Sequence, residues 1–444
     1  MIAGYLARST MSGESVALQT ALGRTPDGEV DHPELFRGFL AHPDVAAAAV
    51  LAVADVAAAR YADAGLMRRI ANLDPVVTAS GDRLRFESFS ACNGVYARFD
   101  LLPDGIDSGA ARFGTTNIDI NQPLRTALSR VSRSGLIHLA VGDEELTVST
   151  PQESFVERQV ALLDRWVRGL AETPLLAQAA THRCDLIGPA VARFFASLPR
   201  TAPGPDQHLT PARGGLQPLL GPRPGSVLLA GSGRLRGAAR IVPFASRLHV
   251  FGSEVGVSGW VFDLPGGRFT LLLSPGAYRG FSGEGSLLTL LARPDARRVG
   301  ERLADDLAWQ PTIDVAGLAR RLDLSRADAD AGLGWLAAAG RLGYDLSERT
   351  WFHRDLPVDA AAILIRNPRL IKAKRLAEHG EVNRYGDGWL VPGTYGRHHV
   401  TSTGGRLRCD CIWENEHADT RGPCTHLLAV MICEGQVEPD RLCI

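Results

Sequence analysis

Cys409 and Cys411, separated by a gap of twelve residues from Cys424 and His426, offer three thiolates and one imidazole close together in sequence. Three sulfurs and one nitrogen complete a tetrahedral shell for Zn2+. Four protein ligands leave no open position for water or substrate, so this set suits structural metal binding rather than catalysis. On an extended strand side chains repeat every second residue, which points Cys409 and Cys411 to one side, where both can grip one ion. Gly422 and Pro423 signal a turn that starts a helix with Leu427–Ile432 as its apolar body, placing Cys424 and His426 in its first turn. Three thiolates around a dication carry a net charge of about minus one, which the positive end of the helix dipole favours.

Neighbouring candidates have plainer readings. His417 lies among Glu414, Glu416 and Asp419 and reads as a solvated loop residue rather than a substitute ligand. Cys433 reads as a small buried apolar side chain. Asn117, Asp119 and Asn121 alternate on a strand, where a polar solvent face outweighs a ligand set. In His182-Arg183-Cys184-Asp185, adjacent side chains on an extended segment point in opposite directions, which disfavours a cysteine nucleophile.

Other chemistries are missing. The 48 basic residues include only two lysines, Lys372 and Lys374, and no Gly-Lys-Ser/Thr occurs, so there is no phosphate-binding P-loop. Gly231–Gly237 misses the dinucleotide pattern, Gly280–Glu284 lacks the closing glycine of a nucleophile elbow, and no His-Glu-x-x-His is present. The chain is read as a non-enzyme.

The elements that must position the thiolates follow from periodicity and turn chemistry, and together they give a multidomain α+β chain. An N-terminal α+β domain spans 1–202. Its helical stretches are Asp44–Gly65, Gln152–Ala171 and Ile187–Leu198, and its strands include Leu84–Phe89 and Val95–Phe99 around Cys92-Asn93-Gly94. Leu136–Val141 and Glu145–Val148 repeat the hairpin pattern. A Pro/Gly-rich stretch at 203–225 reads as a linker, and 226–298 as a small β-rich domain with strands Ser226–Ala230, Leu248–Phe251, Trp260–Leu264 and Phe269–Leu273. At 299–357 two short helices, capped by Asp314 and Ser325, precede a hairpin of Gly340–Tyr344 and Trp351–His353, a winged-helix-like outline. The remainder, 358–444, is a basic segment and a ββα finger with its core at 389–433.

Charge distribution bears on partners. Over Glu301–Asp355 seven basic residues face ten acidic ones, and the helix that would read a duplex begins Arg326-Ala327-Asp328-Ala329-Asp330, with carboxylates where phosphates would approach. A winged helix used against protein fits better. Ile365–Arg408 reverses the sign, with nine basic residues against three acidic. Arg366, Arg369, Lys372, Lys374 and Arg375 sit on or beside a helix, and Arg384 and Arg397 interleave with Tyr385, Trp389 and Tyr395. If the chain meets nucleic acid, this segment is the place; a solvated helix beside ordinary hairpin aromatics accounts for it equally well.

Of seven cysteines three belong to the metal set, and the other four, Cys92, Cys184, Cys433 and Cys443, are scattered, which points to a reducing compartment. The N-terminal residues lack the order of an export signal, and Val45–Ala59 is too short and too alanine-rich to span a bilayer. A cytoplasmic protein without a membrane segment is expected.

The Cys-x-Cys…Cys-x-His set resembles the SWIM zinc finger. Softer likenesses to the actinobacterial SWIM zinc-finger family lie in Arg60–Gly65, Gly114–Asp119, Asp164–Gly169 and Trp351–Pro357. The resemblance implies a zinc-dependent binding protein, sometimes encoded beside a MoxR-type AAA ATPase and a von Willebrand A-domain protein, which are the candidate partners it suggests. A non-catalytic protein-interaction adaptor is the leading expectation, and a nucleic-acid-binding regulator acting through the basic segment and finger is the alternative.

Overall fold

The computed structural model describes residues 5, 7–61, 74–133, 135–142, 164–281, 285–357, 367–404 and 406–436. Residues 143–163, which hold the expected strand Glu145–Val148 and most of the expected helix Gln152–Ala171, lie outside them. The chain is a mixed α+β structure with several sheets.

The hairpin Leu84–Phe89/Val95–Leu101 sits inside an antiparallel sheet of ten strands. Alternation gives it two different faces. Leu84, Phe86, Val95, Ala97, Phe99 and Leu101 join the core beneath helix Pro43–Ala58, whose alanines allow close approach. The opposite face presents Arg85, Glu87, Tyr96, Arg98 and Asp100. It is buried too, because the hairpin Leu342–Asp345/Thr350–His353 lies across it.

The sheet runs on from Val95–Leu101 to Gly267–Leu273, Ser258–Leu264, Arg247–Gly252 and finally Thr181–Ile187 at the rim. On its other side it continues through Val76–Ser80, Phe113–Ile118 and Thr20–Thr25 to Gly28–Val30. Three of the four strands expected of a separate unit at 226–298 therefore complete the N-terminal sheet, with Gly267 opposite Leu101 and Leu273 opposite Val95. Turn spacing marks where strands end but not which strands they join. The stretch read as a linker also carries strands: Gln207–Ala212 pairs with Gly215–Leu219 and with Val227–Leu229. A second sheet of five strands includes one parallel pair, His138–Val141 beside Ser15–Leu18.

A helical layer follows. Asp314 Oδ1 accepts the Gly317 N–H and caps Val315–Arg321; Ser325 Oγ accepts from Asp328 and caps Arg326–Ala338. The second helix packs against Asp164–Gln178, Ser286–Leu291 and Pro294–Asp306 from Ala329 onward, with Leu333, Leu336, Ala337 and Ala338 buried, while Arg326–Asp328 are exposed. One continuous core links this layer, the Trp351 strand, helix Pro368–Glu378 and the thiol cluster. The division at 357/358 thus separates no hydrophobic cores. Among the described residues no helix is long and apolar enough to cross a membrane.

Candidate metal centre

Four strands, Asn383–Tyr385, Gly388–Pro392, Arg397–Thr403 and Arg406–Cys409, form an antiparallel meander that delivers Cys409 at its end. Cys411 follows in extended conformation (φ −72°, ψ 154°), so the i, i+2 pair shares a side as the spacing predicts. The gap between the ligand pairs is a helix, Ile412–Arg421, instead of a loop. Cys411 caps it, with Sγ accepting the Glu414 N–H at 3.5 Å. Gly422 ends it at φ 74°, and a Cβ there would stand 2.5 Å from the Gly285 backbone, so only glycine fits. Cys424 then caps the last helix, Thr425–Gln436, with Sγ 3.4 Å from the Leu427 nitrogen. His426 lies in its first turn. The ββα expectation becomes a four-stranded meander with two helices.

The four side chains are buried, and their ligand atoms all lie within 4.8 Å of one another. Cys409 Sγ and His426 Nδ1 are 3.6 Å apart. Sulfur and nitrogen ligands at about 2.3 and 2.0–2.1 Å from one tetrahedral ion must stand about 3.6 Å apart, so this pair already has that separation. Two helix N-termini aim their free N–H groups at sulfurs, which stabilises thiolate.

Without an ion Cys411 and Cys424 hold their protons more tightly than free thiols. Burial pushes the Cys411 thiol up to about 11. A shared proton with Cys409, and then burial, raise Cys424 further. Burial, helped by His398 and Lys372, lowers His426 to about 4, leaving a neutral imidazole that can donate a lone pair. A divalent ion such as zinc would replace the thiol protons and gather the anionic sulfurs around one positive charge. The set can hold a metal; with every donor consumed it offers no position for substrate.

The support around the ligands was not singled out in the sequence. Glu414 is buried, with Oε2 3.4 Å from the Cys424 nitrogen, and so ties one ligand pair to the other. Its signal is positional: it stands three residues after the Cys411 cap, where a carboxylate supports a helix start. Asp410 Oδ1 receives the His399 N–H at 3.2 Å and lies 3.0 Å from His398 Nδ1, and the His398 ring lies 4.4 Å from that of His426. His417 sits against Trp413 on the new helix, away from the ligand set.

The basic candidates separate into used and exposed groups. Arg366 lies outside the described residues. Arg369 donates to the carbonyls of Arg421 and Pro423 and covers the Trp413 ring, so it braces the second ligand pair. Arg384 pairs with Glu434 at 2.8 Å over the Trp389 ring. Lys374 is half-buried, and burial lowers its pKa. Lys372, Arg375 and Arg397 are exposed, as are Tyr385 and Tyr395.

The expected solvent face at Asn117 and Asp119 is buried instead. Asp119 Oδ2 accepts the Ser9 N–H at 3.0 Å, and Asn121 caps helix Gln122–Leu128, so these residues anchor the first strands.

No protein-family profile matches the chain, and no curated protein matches it. Among solved structures, the proliferating cellular nuclear antigen from Entamoeba histolytica overlaps 55% of this chain and 99% of its own, at 10% identity and a TM-score of 0.34. An overlap at that level bears on neither the family nor the function.

Proposed function

We propose that the chain is a zinc-stabilised, non-catalytic protein-interaction adaptor with a SWIM-type finger beside a winged-helix-like module. The observation that carries this reading is the burial of the wing, one of the two surfaces that would engage a duplex, beside a helix start that carries carboxylates. The wing is clasped to the large sheet through Arg98–Asp345 at 2.7 Å and Arg354–Glu87 at 2.8 Å, while helix Arg326–Ala338 is largely buried from Ala329 onward and leaves exposed only a first turn in which Arg326 pairs with Asp330 and Asp328 presents a carboxylate. A wing in that position is an internal strut, which leaves its neighbours to meet partners. Where sheet, helices and finger converge, a cleft of about 820 Å3 lined by Leu175, Val257, Phe281, Leu290 and Pro423 offers a protein segment an apolar seat.

The partners implied by the family resemblance, a MoxR-type AAA ATPase and a von Willebrand A-domain protein, belong to this proposal. Affinity capture of the tagged full-length chain from its native host tests them: either protein co-purifying supports the reading, and absence of both removes that assignment. The regulator reading rests on a separate observation, the exposure of Lys372, Arg375, Arg397, Tyr385 and Tyr395 beside the finger. An electrophoretic shift across a salt series decides between them. Binding that weakens steeply with salt supports the regulator, and no binding at low salt supports the adaptor.

A further inference from the structure

A second group of ligand-type side chains lies at the rim of the ten-stranded sheet. His182, Asp185 and His249 bring their ligand atoms within 4.8 Å of one another. In a regular strand residues three apart face opposite sides, so the sequence alone sets His182 against Asp185. The pairing skips one residue: His182 is opposite Phe251, and Cys184 is opposite Val250. Arg183 is the extra residue of a β-bulge, and the shift turns His182 and Asp185 to one side, where Asp185 meets His249.

We infer that this side of the rim is a second, open metal site, which binds a divalent transition-metal ion through His182 Nε2, His249 Nδ1 and the Asp185 carboxylate. His182 Nε2 and His249 Nδ1 stand 2.6 and 2.8 Å from the same oxygen, Asp185 Oδ1. An ion about 2.0–2.2 Å from each atom needs N···O separations of about 3.3 Å, openings of about 0.7 Å at His182 and about 0.5 Å at His249. The three side chains are 46%, 20% and 30% exposed for His182, His249 and Asp185, which leaves room for that rotation. The outer nitrogen of His249, Nε2, lies 2.8 Å from Asp263 Oδ2. A carboxylate behind an imidazole fixes its tautomer and raises its basicity towards a metal. Arg247 lies 3.5 Å from Asp185 Oδ2, the oxygen turned away from both imidazoles. Two histidines and one carboxylate leave coordination positions to solvent, unlike the closed thiolate cluster.

Metal-free full-length protein titrated with Zn2+ near neutral pH, with bound metal measured by elemental analysis, tests the assignment. Two equivalents per chain are expected for the native sequence and one for His182→Ala, an exposed rim position. Asp185→Asn should weaken the second equivalent at least tenfold. Co2+ identifies which site remains: the thiolate charge-transfer band must persist in both variants. One equivalent in the native protein accompanied by that band, or two equivalents retained in His182→Ala and Asp185→Asn, overturns the inference. One equivalent without the band, lost in His182→Ala, upholds the rim site and removes the finger site instead.

Discussion

Replacing Cys411 by serine removes a thiolate from a closed four-ligand shell, and loss of that site's stoichiometric metal is expected, as measured by elemental analysis of the purified variant. Glu414→Gln removes the charge behind the Cys424 nitrogen while keeping all four ligands. Its metal should exchange into a chelator about 10–100-fold more readily. Acidity acts on the sulfurs first: Cys411 holds its proton up to about 11 in the metal-free cluster, whereas His426 stays neutral down to about 4. Metal affinity should therefore fall as pH falls through the neutral range, with proton uptake belonging to the thiols, as calorimetry in buffers of different ionisation enthalpy would register. Spacing made the gathering of Cys409, Cys411, Cys424 and His426 legible, because Cys-x-Cys and Cys-x-His fix direction locally. Glu414 and His398 were not legible, since their roles depend on a helix in the gap and on a strand crossing.

The hairpin Leu342–Asp345/Thr350–His353 is held by charge that the interior makes costly to leave unpaired. Asp345 is fully buried, and burial alone would raise its carboxyl; Arg98, Arg268 and Arg85 outweigh this and hold it at about 2. Arg85 also stacks on Phe352, 4.1 Å from its ring centre. Asp345→Ala would leave Arg98 with Asp100 alone and Arg268 with Glu348 alone, and a loss of about 3 kcal/mol in denaturant unfolding is expected. On the same hairpin burial lowers His353 to about 4 from an ordinary 6.5. Between those values the unfolded chain binds a proton that the folded chain refuses. Stability is thus complete above pH 6.5 and lost towards pH 4, by up to about 3 kcal/mol. Unfolding midpoints of His353→Gln should show a smaller decline over that window than the native protein. Alternation revealed these strands and their edges. It did not reveal that the polar stripe Arg85, Glu87, Arg98 and Asp100 is covered, because the covering residue Asp345 is 247 positions from Arg98.

At the scale of the whole molecule, the thiolate cluster shares a core with Trp351, Leu333 and Leu370, while the large sheet packs mainly around a different one. Chelating the metal should therefore deprotect amides of 388–436 and, to a lesser degree, of helix Pro368–Glu378, and leave Leu84–Leu101 slow to exchange in hydrogen–deuterium measurements. Domain limits were the least legible part of the sequence. Pro/Gly density at 203–225 reports turns faithfully, but a strand's neighbours are chosen by packing with residues far away in the chain, as Gly267–Leu273 shows beside Val95–Leu101. Both rims of the ten-stranded sheet are blunt. One ends in Gly28–Val30, only three residues long and carrying Glu29, and the other is broken at Arg183. Among the described residues neither margin presents a long straight ladder of unpaired amides, which works against further copies stacking on this wide sheet into fibres.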